Sequence, residues 1–436
     1  MRRMLSVFVT ALVISSAVFG GWEFEGVLAE IPDTEITNSY GMHGVTVDGA
    51  GMIWYAMYNY STASLYPTAT DTVDVYQIFA VSSDGTPASF SPISMLTISG
   101  VTDTLVSSCR GLTTDNDGNV LYAVAGKMYK INHTTGAGMA MYDYPDFTGS
   151  LSKPAVDDAG NVYIGTVGPG HAIKILNSDL VETGNAVAEF TGSNTRAIVV
   201  SGDGQDIYTG STWNGMGIRH LHSDLPGTFP HEEVEAIGGW QINDTTFQQL
   251  WAEDVSMSPE GLLYAANTQI EFTADTLHGS RYWVYGTDGT EKYSFGTPNG
   301  AYDQGGMFNG RGCAWSADGT KMYVADFGYC AVTIWNQVPD GVDRPITIPT
   351  AFELKQNYPN PFNPSTTIAY ELHQDGLVTL TVYDVAGHEI ATLVNDQMNA
   401  GNHVASFNGS NLSSGLYIYQ LSFNGQVSAK SMMLVK

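Results

Sequence analysis

Short apolar runs recur along the chain, and most are followed by a polar turn and a second apolar run. The shared pattern is an apolar run, Asp or Ser, two residues, Gly, and then an apolar run that contains Tyr. The first copy extends from Gly44 through Asp48 and Gly51 to Tyr55. Short apolar runs bounded by turn residues are typical of β-strands. Because glycine accepts a positive φ, each copy predicts a β-hairpin.

This hairpin pattern occurs six times. Its glycines are Gly51, Gly118, Gly160, Gly204, Gly261 and Gly319. They recur at intervals of roughly 40 to 70 residues, and a third apolar run such as Lys127 to Ile131 follows most copies. Repeats of this length with several strands each predict the blades of a β-propeller. We predict an all-β, six-bladed propeller over residues 21–340. A seventh blade is the alternative to an insertion at Tyr60 to Thr72 in the longest interval.

The repeats resemble those of NHL and lactonase-like propellers. Asp157 to Tyr163 fits the first kind, and Ser316 to Ala325 fits the second. The resemblance implies the architecture but no activity, because this fold carries many functions. The early apolar strand Trp22 to Leu28 would complete the last blade and close the ring.

The N-terminus has the pattern of a secretory signal peptide. Arg2 and Arg3 precede an apolar run from Leu5 to Phe19, and two glycines follow it. The run is shorter than the ~20 residues that a membrane-spanning helix needs. We therefore predict a cleaved signal peptide over residues 1–20, with a membrane anchor as the alternative. We predict no transmembrane helix elsewhere.

The C-terminal segment, residues 353–436, carries several motifs in a fixed order. They are the run Tyr358, Pro359, Asn360, Pro361, Phe362, Asn363 and Pro364, the triplet Gly415, Leu416 and Tyr417, and a final stretch beginning at Lys430. Alternating apolar runs between Gly and Asn turns predict a small immunoglobulin-like β-sandwich. The proline-containing residues 341–352 are predicted to be a linker.

These motifs resemble the type A sorting domain of the type nine secretion system. The resemblance implies export across the inner membrane by the Sec route and recognition by the type nine outer-membrane machinery. The protein would then be secreted or attached to the cell surface. An ordinary immunoglobulin-like accessory domain is the alternative.

Composition excludes several classes of partner. The net charge is -27, with 44 acidic and 17 basic residues. Nucleic-acid binding requires clustered Lys and Arg, so neither nucleic acid nor an anionic membrane surface is a predicted partner. The three cysteines do not form a disulfide framework.

One position of the repeat concentrates arginine. Eight residues before each repeat glycine, the start of the inner strand carries His43, Arg110, Ser152, Arg196, Glu253 and Arg311. Equivalent positions form a ring at the channel mouth, and guanidinium groups bind carboxylate, sulfate or phosphate oxygens. We predict a ligand site of His43, Arg110, Arg196, Glu253 and Arg311. The alternative is structural, with the arginines pairing to Glu253, Asp254 or carbonyl groups. Aromatic residues that could stack on sugars are Trp213, Trp251, Tyr302 and Phe308.

No other pattern predicts a catalytic or metal site. The turn from Asp115 to Asn119 lacks the remaining ligands of a calcium loop. His220, His222 and Asp224 lack zinc-type spacing, and we interpret them as an exposed polar loop. Nucleophile-elbow and metalloprotease motifs are absent from the sequence. We predict no catalytic residues, metal or cofactor.

Three functions remain open. The first is a binding module for an extracellular glycan, peptide or surface component. The second is a secreted lyase, lactonase or hydrolase that works at the same mouth, where Glu253, Asp254 and His43 would supply acid–base chemistry. The third is a structural or adhesive surface protein. Because no catalytic motif is present, we favour the non-enzymatic functions.

Overall fold

The computed structural model describes most of the chain, with gaps. The described ranges are 18–19, 21–30, 41–60, 63–65, 73–191, 196–210, 216–224, 231–243, 246–267, 280–298, 305–338, 352–355, 357–372, 376–384, 388–399, 401–423 and 426–436. They form two compact units, Met1–Ile346 and Thr347–Lys436. The regular secondary structure in these ranges consists of β-strands only, which confirms the all-β prediction. The predicted signal peptide lies outside the described residues except for 18–19.

The described residues of the first unit form six antiparallel sheets of three or more strands, one for each repeat. Sheet 1 consists of Gly41–Val47, Ile53–Tyr58 and Ile78–Val81. Sheet 2 consists of Gly111–Thr114, Val120–Ala123, Lys127–Ile131 and Gly138–Asp143. Sheet 3 consists of Ala155–Val156, Val162–Ile164, His171–Leu176 and Glu182–Phe190.

The other three sheets follow the same order. Sheet 4 consists of Ile198–Val200, Asp206–Thr209, Arg219–His222 and Glu232–Glu233. Sheet 5 consists of Ala252–Met257, Leu263–Asn267, Arg281–Tyr285 and Glu291–Phe295. Sheet 6 consists of Gly310–Trp315, Lys321–Asp326, Ala331–Gln337, Trp22–Glu30 and Val18–Phe19.

Among the described residues of this unit there are also four two-stranded pairs, one inserted within sheet 1 and three between consecutive sheets along the chain. They are Ala63–Leu65 with Val73–Val75, Met95–Ile98 with Val101–Thr104, Gly239–Asn243 with Thr246–Gln249, and Thr297–Pro298 with Gly306–Met307. The first strand of the first pair lies inside the predicted insertion at Tyr60 to Thr72, and the second strand begins one residue after it.

The first strands of the six sheets stand side by side in a closed circuit. Those of sheets 6 and 1, 1 and 2, 3 and 4, 4 and 5, and 5 and 6 contact each other. Sheets 2 and 3 meet where the Asn116 side-chain amide donates to the Asp157 carbonyl oxygen at 2.9 Å. This arrangement is a propeller fold, as predicted. The total of six blades rather than seven stays a prediction for the whole chain.

The core of this unit lies between neighbouring sheets. Separate clusters of buried residues fill the interfaces of sheets 6 and 1, 1 and 2, 2 and 3, 3 and 4, 4 and 5, and 5 and 6. The repeat tyrosines are all buried: Tyr55, Tyr122, Tyr163, Tyr208, Tyr264 and Tyr323. The shared tyrosine is therefore one of the side chains that each second strand contributes to the core.

The N-terminal strand completes sheet 6. Trp22–Glu30 pairs antiparallel with Ala331–Gln337, and Trp22 lies opposite Gln337. Trp22 and Leu28 are buried. The closing strand was predicted as Trp22 to Leu28, and the structure extends it by two residues.

The turn of the repeat is capped by its own acidic residue. In sheet 1, Asp48 Oδ1 accepts hydrogen bonds from the backbone N–H groups of Ala50 and Met52, at 2.8 and 2.9 Å. Gly51 donates to the Asp48 carbonyl oxygen at 3.0 Å and has φ +83. A left-handed conformation at this point is the reason that the pattern requires glycine.

Replacing Gly51 by alanine is expected to lower the free energy of unfolding by about 1 kcal/mol. A Cβ at Gly51 would meet no atom within 4 Å, so the cost comes from the backbone conformation alone. Urea unfolding measures the loss. Gly168→Ala is the matched control, because that site is equally open and does not adopt a positive φ. Equal losses in the two variants would contradict the explanation.

The second unit contains two sheets around one core. One sheet consists of Phe352–Leu354, Ser365–Leu372 and Gly401–Asn408, and the other of Gly376–Tyr383, Glu389–Met398, Gly415–Phe423 and Gln426–Leu434. Phe362 is buried, and its backbone hydrogen-bonds to Met433 and Val435 at 2.9 and 3.0 Å. The proline-rich motif is thereby tied to the C-terminal strand. The immunoglobulin-like topology and the linker bounds stay predictions.

Candidate binding site at the propeller mouth

Three first strands carry a β-bulge at the predicted ring position. The register of sheet 1 shifts around His43, that of sheet 5 around Glu253, and that of sheet 6 between Gly310 and Cys313, a segment that contains Arg311. Bulges redirect side chains and are common beside functional sites. The same local irregularity therefore occurs at the ring position in three of the repeats.

Glu253 joins two of the arginines. Arg311 Nη1 donates to Glu253 Oε2, and Arg196 Nε lies 3.1 Å from the same oxygen. The side chains of Glu253 and Arg311 are buried, and that of Arg196 is 18% exposed. This pairing is the contact that the structural alternative predicted, and it spans sheets 4, 5 and 6.

Arg110 is held differently. Its guanidinium carbon lies 4.2 Å from the centre of the Tyr58 ring, a cation–π contact. No carboxylate among the described residues forms an ion pair with it. Arg110 is half-buried, so its planar face is packed while part of its surface faces solvent.

Aromatic rings form the wall of the site next to Arg110. The Phe327 ring lies 5.0 Å from the guanidinium carbon of Arg311 and 5.9 Å from the Tyr58 ring. The His43 ring lies 5.6 Å from Tyr58 and 6.1 Å from Phe327. We call His43, Arg110, Arg196, Glu253 and Arg311 the arginine cluster.

His43 is the least satisfied residue of the cluster. Its side chain is buried, and neither ring nitrogen has a hydrogen-bond partner among the residues that the structure describes. Burial and the positive charges of Arg311, Arg196 and Arg110 hold the pKa of His43 well below its usual range. The imidazole is therefore neutral at pH 7 and offers one donor and one acceptor.

The arginine cluster has an excess of positive charge. Burial and the charge of Arg311 lower the pKa of Arg196 to about 10, which still leaves it protonated at neutral pH. The arginine cluster thus contains three guanidinium groups and one carboxylate, that of Glu253, which pairs with Arg196 and Arg311. Positive charge that is removed from water without a full set of partners is costly, and a bound anion would relieve that cost.

The sequence misplaced the ring residue of sheet 3. Counting from the repeat glycine indicated Ser152, but its Oγ accepts from the Gly165 backbone N–H at 3.0 Å within its own repeat. Lys153 enters the channel instead. Its Nζ reaches Asp254 Oδ1 at 3.1 Å and Ser256 Oγ at 2.6 Å, so it connects sheets 3 and 5. Asp254 is therefore a partner of Lys153 rather than of an arginine.

Sequence analysis also missed Tyr58 and Phe327. Both lie at the end of a second strand, which returns in a hairpin to the level where the first strand starts. That shared position was the signal that could have identified them. Of the predicted stacking residues, Trp251 and Phe308 are half-buried, and Trp213 and Tyr302 lie outside the described residues.

The Asp-rich turn of sheet 2 uses its oxygens internally. Asp115 Oδ1 accepts from the Asp117 and Asn119 backbone N–H groups at 3.0 and 2.8 Å. Its other oxygen lies 2.7 Å from Lys130 Nζ. The turn therefore has the capping role of the other repeats.

Several solved structures resemble this chain at low sequence identity. Virginiamycin B lyase from Staphylococcus aureus, in complex with quinupristin, is 12% identical with a TM-score of 0.39, over 70% of this chain and 98% of its own. Regucalcin, a calcium-binding protein from Agrobacterium tumefaciens, is 15% identical with a TM-score of 0.46, over 72% and 93%. A Bacteroides thetaiotaomicron protein of unknown function is 10% identical with a TM-score of 0.47, over 70% and 71%. No curated protein matches the chain.

In the residues that the structure describes, no helix is long and apolar enough to cross a membrane.

The C-terminal segment has a specific family match. Residues 356–436 match the family described as the secretion system C-terminal sorting domain. This confirms the predicted sorting domain and implies export through the type nine machinery to a cell-surface or secreted location, so the chain is an exported propeller with a type nine sorting domain at its C-terminus.

Proposed function

We propose that the exported propeller is a binding module whose arginine cluster recognises an anionic group of an extracellular ligand. The observation that carries the proposal is the ratio of three buried or half-buried guanidinium groups to one carboxylate. Glu253 is shared by Arg196 and Arg311, which leaves Arg110 without an acidic partner among the described side chains. A carboxylate or sulfate group is the complement that this site lacks.

The rest of the site suits a ligand with both an acidic and an apolar part. Tyr58 and Phe327 offer ring faces beside the guanidinium groups. The unpaired nitrogens of His43 can hydrogen-bond a hydroxyl or an amide. An acidic oligosaccharide or a peptide carboxylate presents this combination, in agreement with the predicted glycan or peptide ligand.

Arg110→Met tests the proposal. Methionine retains packing against Tyr58 but removes the charge, so the fold should be kept. Because a charge-assisted hydrogen bond contributes about 1.5–3 kcal/mol, we expect acidic ligands to bind about tenfold to a hundredfold more weakly. Thermal-shift titration of the full exported chain against matched acidic and neutral oligosaccharides would measure this.

Lys321→Met is the matched control, because Lys321 is a partly exposed cation paired with Glu25 in sheet 6. It should leave binding unchanged. Equal stabilisation of wild type and Arg110→Met by acidic ligands would locate binding elsewhere. No stabilisation by any ligand, with a lower melting temperature for Arg110→Met, would favour the structural role of a surface scaffold.

A second candidate is an enzyme that removes a proton beside a carboxylate. The observation that favours it is His43, a neutral imidazole among three guanidinium groups. Arginine would hold the substrate carboxylate, and His43 would accept the proton from the neighbouring carbon as a general base. The electron pair of that C–H bond would form a double bond to the next carbon, whose substituent would leave with its own bonding pair. Incubating the same acidic ligands with wild type and His43→Gln would test this, since product formation with wild type alone is expected of a lyase or hydrolase.

The finer localisation is also a proposal. A cleaved signal peptide at residues 1–20 would deliver the chain to the periplasm, and the sorting domain would then direct it outward. The mature N-terminus, read by mass spectrometry of secreted protein, is expected to begin close to Trp22.

A further inference from the structure

Two histidines and an aspartate converge on the outer part of sheet 4, away from the arginine cluster. His220 Nε2 and His222 Nδ1 each lie 2.7 Å from Asp206 Oδ1. The three donor atoms are all within 4.8 Å of one another. The histidines were predicted to lie in an exposed loop, but they occupy the strand Arg219–His222, so that prediction was wrong.

Strand geometry explains the convergence. Residues at i and i+2 of a strand point to the same face, so the His220 and His222 rings are neighbours. Asp206 on the adjacent strand is the register partner of His222. Asp206 precedes His220 and His222 by 14 and 16 residues, so short zinc-motif spacings do not include it.

The surroundings hold the two rings in place. His220 stacks on the Tyr208 ring, with centroids 4.6 Å apart. The other nitrogen of His222, Nε2, lies 3.4 Å from Asp224 Oδ1. A carboxylate on the far nitrogen of a histidine is the arrangement that orients metal-binding imidazoles.

We propose that Asp206, His220 and His222 form a binding site for a divalent transition-metal ion such as Zn²⁺. Two imidazoles and one carboxylate are a ligand set that Zn²⁺ and its neighbours accept. Bonds of about 2.0–2.2 Å would place the donor atoms about 3.3 Å apart. The two contacts to Asp206, each 2.7 Å, would therefore lengthen by only a fraction of an ångström. His222 is 39% exposed, which leaves room for water as a further ligand.

Zn²⁺ uptake tests the site. The full exported chain, without a histidine tag, would be stripped with chelator and titrated with Zn²⁺ by equilibrium dialysis. We expect one tightly bound Zn²⁺ per chain that His220→Ala/His222→Ala loses. Asp224→Asn should weaken affinity by about tenfold, because second-shell carboxylates contribute on that scale. Visible absorption of Co²⁺-substituted protein should report the loss of nitrogen ligands in His222→Gln.

His388→Ala is the matched control. His388 also pairs with a carboxylate, that of Asp384, at 3.0 Å, but the described part of the chain places no second histidine within metal-binding distance of the pair. Zn²⁺ binding should be unchanged there. If wild type, His222→Gln and His220→Ala/His222→Ala bind Zn²⁺ equally, the proposal is overturned and the three side chains only hydrogen-bond to one another. Circular dichroism confirms that the variants are folded, and His222→Gln keeps the test valid if the double variant is not.

Discussion

Glu253→Gln is expected to lower the free energy of unfolding by about 3–5 kcal/mol, because it leaves the buried guanidinium of Arg311 and the half-buried one of Arg196 without their shared carboxylate. Glu253 contacts Arg196 and Arg311 and is itself buried, so water cannot replace it. Urea unfolding of the full exported chain measures the loss. Sulfate should restore more stability to this variant than to wild type, because the variant has one more uncompensated positive charge.

Two comparisons separate charge from packing. Asp103→Asn removes the acidic partner of Lys127 in a pair whose side chains are 31% and 35% exposed, and it should cost less than about 1 kcal/mol. Glu253→Gln/Arg311→Met should be more stable than Glu253→Gln alone, because one orphaned charge is gone. If the double variant has a lower free energy of unfolding than the single variant, side-chain packing rather than charge balance determines the stability of this site.

The second large effect is expected from Trp22→Ala, with a loss of about 3–5 kcal/mol. Trp22 is buried in the core between sheets 5 and 6, and its indole N–H donates to the Tyr264 hydroxyl at 3.0 Å. The substitution would leave a cavity and also weaken the pairing of Trp22–Glu30 with Ala331–Gln337. Denaturant unfolding and limited proteolysis of the N-terminal strand would measure both effects.

Trp315→Ala is the control, because Trp315 is a half-buried tryptophan packed against the same cluster. Its loss should be clearly smaller, and the N-terminal strand should stay protected from protease. If both variants lose the same stability and release the same strand, the closing strand has no special role.

The architecture could be predicted because the residues of each repeat determine its turn and its strands locally. Asp48 and Gly51 define a turn, and the buried Tyr55 defines the strand that follows it, without help from distant residues. The closing role of Trp22–Glu30 was also predictable, since an unpaired apolar strand at one end of the chain must complete a sheet. The sorting motif around Phe362 was specific enough to identify by its order of residues.

The site was only partly predictable, because it depends on contacts between repeats. Counting from the glycines found His43 and the arginines, but it could not show that Lys153 replaces Ser152 in the channel. The local strand register in sheet 3 determines which of the two side chains enters the channel, and this register cannot be obtained from sequence spacing. Likewise, the lowered pKa of His43 follows from its burial and from three arginines of other sheets. The contact between Asp206 and His222 follows from strand pairing.

The closing strand also sets an order of events during the synthesis of the protein. Trp22–Glu30 leaves the ribosome early, whereas its partner Ala331–Gln337 is made almost at the end of the first unit. Contacts between residues so far apart in the chain form slowly, and an unpaired strand edge invites association with other chains. The propeller can therefore reach its final form no earlier than the synthesis of Ala331–Gln337, which precedes that of residues 356–436. The sorting signal thus becomes available only once every strand of its cargo has been made, which ties presentation for export to completion of the chain.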